Sequence, residues 1–328
     1  MTNREGSDMT PHSDSRTQTD ADVDARSGAA IAGGPVGRKA GRLESSFSRP
    51  STLRSRGQGL LKHSVLIISG LVMLYPLLWM LSSSFKPTAL IFRDPALIPG
   101  SIDLSNYTLG WNALLHPFSR YLLNSVVIVA GAVLGNLVSC SLAAYAFARL
   151  KFRGRGVCFG IMLMSIMLSI HVIIVPQYIL FSQLGWINTY LPLIVPKMLA
   201  TDAFFIFLMV QFFRGIPREL DEAARMDGAG HGRIFFQIML PLSLPALATT
   251  AIFTFIWTWN DFFSQLIFLT NPDMYTVPVA LRTFVDSTGT SSWGQLFAMS
   301  VVSLVPVFLV FLFGQKYLMK GIATTGLK

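Results

Sequence analysis

The residues with the clearest chemical pattern lie in the stretch 217–241, which reads PRELDEAARMDGAGHGRIFFQIMLP. Its first half has the pattern of a short helix, because Pro217 suits a first helical position and three acidic residues follow near the positive end of the helix dipole. Gly228 can adopt the left-handed conformation that ends a helix. Ala223 and Ala224 belong to an apolar stripe at helical spacing. The stretch therefore predicts a charged helix that turns a small-residue face to an aqueous compartment.

A second set of polar residues lies inside apolar runs. Asn260 and Asp261 interrupt the run FTFIWTWNDFF, and Asp202 interrupts an earlier run. A charged group at such a position persists only if it is paired or lines a water-filled cavity. These three residues are therefore candidates for a polar translocation pathway. The alternative is that they form structural hydrogen bonds or ion pairs between helices.

Lys197 lies in the same apolar run as Asp202. A structural role is favoured for it, with the ammonium group reaching outward to the membrane surface. Residues five positions apart on a continuous helix point about 140° away from each other. Lys197 and Asp202 are therefore predicted not to pair.

Several kinds of chemistry are excluded by the sequence. No group of His, Cys, Asp and Glu residues has metal-ligand spacing, and no G-x-x-x-x-G-K-[ST] pattern is present. Cys140 and Cys158 lie in apolar segments and do not indicate a disulfide framework. The sequence thus predicts no catalytic residue, metal or cofactor for this chain. Its net charge of +9 is expected to come from a basic tail and basic membrane loops, and not from nucleic-acid binding.

The elements that carry these residues are predicted to be membrane helices. Hydrophobic residues make up 52% of the 328 residues and charged residues only 13%, which is about half the share in soluble domains. Several apolar runs reach the roughly 20 residues that a helix needs to cross a bilayer. The predicted fold class is an all-α polytopic membrane protein. Its six spans are expected near residues 63–84, 121–148, 156–181, 189–213, 242–270 and 296–318.

Two pairs of glycines have the four-residue spacing that lets membrane helices approach closely. Gly131 and Gly135 lie in the second predicted span, and Gly156 and Gly160 lie at the start of the third. Because glycine is common in membrane helices, this pattern indicates close packing only weakly.

The chain divides by composition into a polar tail, residues 1–60, and a membrane domain, residues 61–328. The tail is predicted to be disordered, because it cannot bury enough apolar surface to fold. No apolar segment lies near Met1, so the first apolar run is expected to act as an uncleaved insertion signal. Apart from the tail, eleven Lys and Arg residues fall on the side of the N-terminus and four on the other. Both termini and residues 214–241 are therefore predicted to be cytoplasmic.

The spacing in residues 217–241 also resembles a known signature. Seven residues match the pattern EAA-x3-G-x9-I-x-L-P of binding-protein-dependent ABC importer permeases: Glu222, Ala223, Ala224, Gly228, Ile238, Leu240 and Pro241. The segments IPRELDEAARMDGAG, WNDF, NPDMYTVPVAL and GIATTGLK look like the carbohydrate branch, the maltose-permease-like subunits. The resemblance covers roughly residues 60–328. One departure is Gly230, where the family usually has a Ser or Thr that starts the next helix.

The resemblance implies a fold and a set of partners. It implies a non-catalytic subunit with the six-span fold of type I importers, in the plasma (inner) membrane of a prokaryote. The implied partners are a second homologous permease, two ATPase subunits that bind the ATP and Mg, an extracytoplasmic sugar-binding protein and the lipid bilayer. In this family the signature loop, here residues 214–241, forms a coupling helix that docks into a cleft of the ATPase. We call it the coupling loop.

The resemblance also implies roles for the signature residues. Glu222 and its acidic neighbours would meet basic groups of the ATPase, and the segment 238–241 would anchor the loop to the fifth span. The residues implied to take part in coupling are Glu222, Ala223, Ala224, Asp227, Gly228, Ile238, Leu240 and Pro241.

Other functions remain open from the sequence. A secondary transporter driven by an ion gradient would have internal repeats and paired broken helices around a midplane ion site, and no such repeat is seen. An exporter or a membrane scaffold would give the signature no role. An ABC importer for a non-sugar solute, such as a glycerol-phosphate compound, would share the signature. The leading hypothesis is a sugar-importer permease that converts ATPase closure into helix movement.

Overall fold

The computed structural model describes the backbone of residues 52–285 and 292–325, and within these ranges the side chains of residues 61–285 and 292–317. The chain separates into two units, Met1–Leu60 and Leu61–Lys328, and the second contains all the predicted spans. The predicted disordered tail lies outside the described residues up to residue 51. The first helix begins at Thr52, before the start near residue 63 that hydropathy indicated.

The described residues form helices and loops, with no strand among them. Long apolar runs favour helices in a membrane, because a helix satisfies its backbone hydrogen bonds internally. The helices are α1 (Thr52–Ser83), α2 (Ser105–Asn112), α3 (Phe118–Arg149), α4 (Arg155–Ser165), α5 (Ile170–Gln183), α6 (Leu191–Met198), α7 (Ala203–Gly215), α8 (Glu219–Met226), α9 (His231–Ile234), α10 (Leu240–Leu242), α11 (Leu244–Trp259), α12 (Phe263–Phe268), α13 (Val277–Arg282) and α14 (Trp293–Thr325). A π-helical turn, Phe235–Met239, joins α9 to α10, and a short 3-10 helix spans Pro272–Met274.

The number of apolar spans agrees with the prediction. Four stretches of the described chain are long and apolar enough to cross a membrane: Leu61–Ser83, Phe118–Arg149, Leu191–Gly215 and Trp293–Tyr317. Two bent helix pairs, α4 with α5 and the segment His231–Leu242 with α11, raise the number to six if each pair is one span. The predicted all-α membrane fold is confirmed.

Three of the predicted spans are broken. Prolines in or beside the helices, among them Pro196, Pro241 and Pro245, indicated kinks, but not breaks of this size. The third span bends by 103° between α4 and α5, and the fifth bends by 76° between α10 and α11. The fourth is interrupted between α6 and α7, where Ala200 has a φ of +55°. The fifth span was predicted to run to residue 270, but α11 ends at Trp259 and α12 begins at Phe263. Hydropathy measures apolar length and does not register such breaks.

Helix α3 is the centre of the bundle and packs against α6, α7 and α11. Its small residues Cys140 and Ala144 are fully buried in an apolar cluster with Met209 and Phe213 of α7. In contrast, the apolar window of α1 is not buried at all within this chain. An exposed apolar helix is stable in lipid, whose tails are as apolar as leucine.

The first glycine pair lies where α3 packs tightly against α6. A Cβ added at Gly131 would lie 2.9 Å from a side-chain carbon of Ile194. A Cβ at Gly135 would lie 2.6 Å from the Cγ of Met198 and 3.2 Å from its backbone nitrogen. The second pair makes no such contact, since a Cβ at Gly160 would meet nothing within 4 Å.

We expect Gly135→Val to destabilise the protein, because the valine would push α6 away from α3. Overpacking of this kind costs about 1–3 kcal/mol. Gly160→Val adds the same side chain in open space and serves as the matched control. The measurement is the thermal unfolding midpoint in detergent. Equal midpoints for the two variants would contradict the assignment of the close contact to Gly135.

Candidate functional site

The coupling loop contains α8 and a sharp turn that ends it. Gly228 has a φ of +80°, as the sequence predicted. The backbone nitrogen of Gly228 donates to the carbonyl of Arg225, and that of Ala229 donates to the carbonyl of Ala224, both at 2.9 Å. This is the hydrogen-bond pattern of a glycine-terminated helix. A side chain at position 228 would be strained in this conformation.

Helix α8 has an exposed face and a buried face. The exposed residues of the helix include Glu222, Ala223 and Met226, and Asp227 and Gly228 directly after it are exposed too. On the other face, Ala224 is half-buried against the apolar cluster of α3 and α7. Asp221 is buried with 5% of its surface exposed, although the sequence analysis grouped it with the acidic residues that face a partner. Successive residues of a helix point in different directions, so Asp221 faces the bundle although its neighbour Glu222 is exposed.

The far end of the coupling loop starts a new helix without a side-chain cap. Gly230 is extended, with φ −75° and ψ 169°, and α9 begins at the next residue. A Ser or Thr at this position would supply an oxygen to the free backbone nitrogens. Glycine is tolerated here because it can adopt the extended backbone, and water can bond the free backbone nitrogens in place of a side-chain oxygen.

The loop is anchored to the bundle by residues that the sequence analysis missed. Ile234, Phe235 and Met239 are buried in the cluster with α3 and α7, and the ring of Phe235 lies 5.2 Å from that of Tyr145. Their spacing of one and four residues spans a π-helical turn, which shifts the buried face relative to an α-helix.

The three anchor residues implied by the signature lie less deeply in the structure. Ile238 and Leu240 are half-buried, and Leu240 packs against the edge of the same cluster. Pro241 is exposed. The signature implied that Ile238, Leu240 and Pro241 all anchor the loop. Leu240 is the one of the three that packs against the cluster.

The three candidate pathway residues lie together around one cavity of about 660 Å³. Each lies at a helix break and not inside a continuous helix as predicted. Asp202 precedes the first residue of α7, and Asn260 follows the last residue of α11. Asp261 lies in the turn before α12, and its carboxylate accepts a hydrogen bond from the backbone nitrogen of Ser264 at 3.0 Å. Breaks expose polar backbone, which a membrane tolerates where it lines a cavity.

The prediction that Lys197 and Asp202 do not pair was wrong. The ammonium group of Lys197 lies 3.0 Å and 2.8 Å from the two carboxylate oxygens of Asp202, and both residues line the cavity. The argument assumed a continuous helix, but the backbone turns at Ala200 and brings the two side chains together. The carbonyl of Lys197 also accepts a hydrogen bond of 2.7 Å from Ser139 of α3.

The cavity combines aromatic and polar groups. The ring of Trp257 lines it and is about half exposed, at 49%. His171 and Phe263 line another part, with ring centroids 4.9 Å apart in an edge-on arrangement. Because Asp202 offsets the charge of Lys197, the carboxylate of Asp261 carries the remaining negative charge of the lining. A pocket of this size with a few polar groups among apolar walls is typical of ligand sites.

The loop that follows α12 is tied to the loop between α5 and α6 and to the segment before α3. The side-chain oxygen of Asn188 accepts hydrogen bonds from the backbone nitrogens of Thr270 and Asn271, at 2.7 Å and 2.9 Å. His116 contacts the carboxylate of Asp273, and this hydrogen bond holds the pKa of Asp273 below its usual value. These contacts give the ends of several helices a fixed arrangement.

A bundle of apolar helices around a polar cavity, with an amphipathic helix between two spans, is the architecture that the resemblance implies for a membrane permease. Residues 135–324 match the family model described as the binding-protein-dependent transport system inner membrane component. The chain belongs to this family. The predicted identification as an ABC importer permease is thereby confirmed.

Similar proteins agree with this assignment. The chain is 37% identical to the probable ABC transporter permease protein YurM of Bacillus subtilis over 77% of this chain and 83% of that one. It is 33% identical to the diacetylchitobiose uptake system permease protein NgcG of Streptomyces coelicolor over 81% of this chain and 87% of that one. A crystal structure of a bacterial ABC transporter involved in the import of the acidic polysaccharide alginate matches with a TM-score of 0.72 and 26% identity. That match covers 83% of this chain and 100% of the other.

Proposed function

We propose that this chain is the membrane subunit of an ATP-driven sugar importer, in which it converts closure of a partner ATPase into movement of the translocation pathway. The observation that carries the proposal is the two-faced helix α8. Its exposed face presents the signature residues Glu222 and Ala223, and its other face packs on the cluster of α3 and α7. A displacement of α8 would therefore displace membrane helices.

The coupling residues divide into three groups. Glu222, Ala223 and Asp227 supply the surface that docks into the ATPase, with the small alanine keeping the helix slim. Gly228 makes the turn that orients this surface. The segment Ile234–Met239, together with Leu240, holds the far end of the loop against the bundle.

Asp202, Asn260 and Asp261 form part of the pathway in this proposal. Support comes from their common cavity of about 660 Å³ at two helix breaks, one between α6 and α7 and one between α11 and α12. Breaks in membrane helices are sites where one part of a span can move against another. The pathway would be completed by a second, homologous permease, as a single bundle leaves this cavity open on one side.

The proposed substrate class is a sugar. The relative NgcG is named for diacetylchitobiose, and the similar crystal structure for alginate. The cavity fits this class, because Trp257 offers an apolar ring face and Asn260 offers both donors and acceptors. An importer of a non-sugar solute is the second candidate, since the coupling loop would be the same.

The proposed assembly contains two permeases, two ATPase subunits that bind the ATP and Mg, and an extracytoplasmic binding protein. The termini and the coupling loop would face the cytoplasm. Support for this orientation comes from the excess of Lys and Arg on that side. The linked loops around Asn188 and Asp273 would then face the binding protein.

The test is uptake into proteoliposomes that contain the assembled transporter, with ATP inside and the binding protein outside. Labelled neutral oligosaccharides, a uronic-acid oligosaccharide and glycerol phosphate are offered in parallel. ATP-dependent uptake of an oligosaccharide is expected. Uptake of glycerol phosphate alone would favour the second candidate, and uptake that follows an ion gradient without ATP would overturn the proposal.

A further inference from the structure

A buried arginine joins three elements at the base of the coupling loop. Arg149 is the last residue of α3, and its side chain is only 2% exposed. Its Nη2 donates to the backbone carbonyls of Phe213 and Ile216 at 2.8 Å and 2.6 Å. Its Nε lies 3.4 Å from the carboxylate of Asp221 on α8. One guanidinium therefore contacts α3, the end of α7 and the coupling helix.

The chemistry of this contact is specific to arginine. The planar guanidinium carries several donors in a fixed fork, so it can hold two carbonyls and a carboxylate together. The carbonyls at the end of α7 form the negative end of the helix dipole, which favours a cation there. A lysine would keep the charge and three donors, but they sit on one compact ammonium group and not in a planar fork that can reach two carbonyls and a carboxylate at once.

The pair is a charge contact that is not fully hydrogen bonded. Arg149 Nε and the Oδ1 of Asp221 are buried without a hydrogen-bond partner within the described chain. Removing one member would leave the other charge buried and uncompensated, which proteins avoid strongly. Asp221 is thus committed to the bundle, unlike the exposed Glu222 beside it.

We propose that Arg149 is a positioning residue that couples α8 to α3 and α7, so that ATPase movement reaches the cavity through α3. The inference rests on the proposed coupling function. The onward path consists of contacts of α3: Ser139 donates to the carbonyl of Lys197 at 2.7 Å, and Asn136 donates to Thr254 of α11 at 2.9 Å. Helix α11 ends at Trp259, directly before the cavity residue Asn260. Helix α3 therefore connects the coupling helix to both sides of the cavity.

The test is the ratio of ATP hydrolysed to sugar transported in reconstituted transporter. Arg149→Met is expected to retain the ATPase and its hydrolysis but to raise this ratio about tenfold, which corresponds to about 1.4 kcal/mol of lost coupling. Arg149→Lys is expected to give an intermediate ratio. Arg153→Met, which removes an exposed arginine from the next loop, is the matched control and should leave the ratio unchanged.

The double variant R149M/D221L removes both buried charges and keeps the proposal testable if R149M does not assemble. Its thermal unfolding midpoint is expected to return to the wild-type value, because no buried charge is left unpaired. Its ratio of ATP hydrolysed to sugar transported should stay raised, because no hydrogen bond or ion pair from residue 149 then joins α8 to α3 and α7. If uptake and hydrolysis fall in equal proportion in R149M and the double variant, or if neither variant assembles, Arg149 has only a structural role and the inference is overturned. Absence of ATP-driven uptake in the wild type would instead overturn the proposed function itself.

Discussion

Replacing Gly228 with valine is expected to abolish most ATP-driven uptake. The glycine ends α8 with a φ of +80°, and a β-branched residue is an outlier in this conformation. The left-handed backbone costs an ordinary residue about 1–2 kcal/mol. The chain would relieve this strain by reorienting α8, which carries the docking surface. We expect the uptake rate to fall about tenfold or more, which corresponds to an activation barrier raised by roughly 1.4 kcal/mol.

The matched control is Gly232→Val, four residues further along the same loop. Gly232 lies in α9, has no positive φ, and a Cβ there would meet nothing within 4 Å. Valine is a better helix former than glycine, so this variant should transport normally. Initial uptake rates in proteoliposomes, normalised to the bound ATPase, compare the two. Equal rates would show that the turn at Gly228 is not needed for coupling.

Breaking the ion pair in the cavity is expected to have the second largest effect. Lys197→Met would leave the carboxylate of Asp202 without its counter-charge at a position inside the membrane bundle. The loss of folding stability should stay below the roughly 3–5 kcal/mol that breaking a fully buried ion pair costs, because the two side chains are 29% and 23% exposed. We expect a lower thermal unfolding midpoint and a fall in uptake of about tenfold or more.

The double variant K197M/D202L separates stability from transport. Neutral side chains at both positions remove the unpaired charge, so the thermal midpoint should recover. Uptake should remain low, because the pathway has lost the polar group of Asp202. Recovery of both the midpoint and uptake would mean that the pair only holds α6 to α7.

The prediction of the fold from sequence succeeded where it depended on composition and spacing. Apolar runs predicted an all-α membrane protein, and the EAA spacing predicted a helix that ends at a left-handed Gly228. Both depend on local preferences that act within a few residues. The departure from the signature at Gly230, where a Ser or Thr is usual, also has a local explanation, because an extended backbone at this residue is enough to start α9.

The prediction was incomplete where the backbone departs from a regular helix. Pro196 indicated a kink in the span of Asp202, but it did not indicate the turn at Ala200, which adopts a positive φ without being a glycine. The break at Asn260 has no such residue signal. The coupling loop is anchored by Ile234, Phe235 and Met239, and not mainly by Ile238 as the signature implied. Such features are set by packing between distant helices, which one sequence does not show.

The buried side of α8 illustrates the same limit. Four acidic residues in the coupling loop looked equivalent in sequence, yet Asp221 is buried beside Arg149 and Glu222 is exposed. Their difference depends on where the end of α3 lies. The helix period alone separates the two faces but does not say which one meets the bundle.

The most direct test of the account is where the ATPase contacts this chain. A photoreactive benzophenone amino acid at position 226 replaces Met226, which is 89% exposed on α8, and the same amino acid at position 115 replaces Leu115, which is 72% exposed before α3. Illumination of the assembled transporter should cross-link the ATPase subunit to position 226 and not to position 115. Cross-linking at position 115, or none at position 226 in a complex that co-purifies, would contradict the assignment of residues 214–241 as the coupling loop.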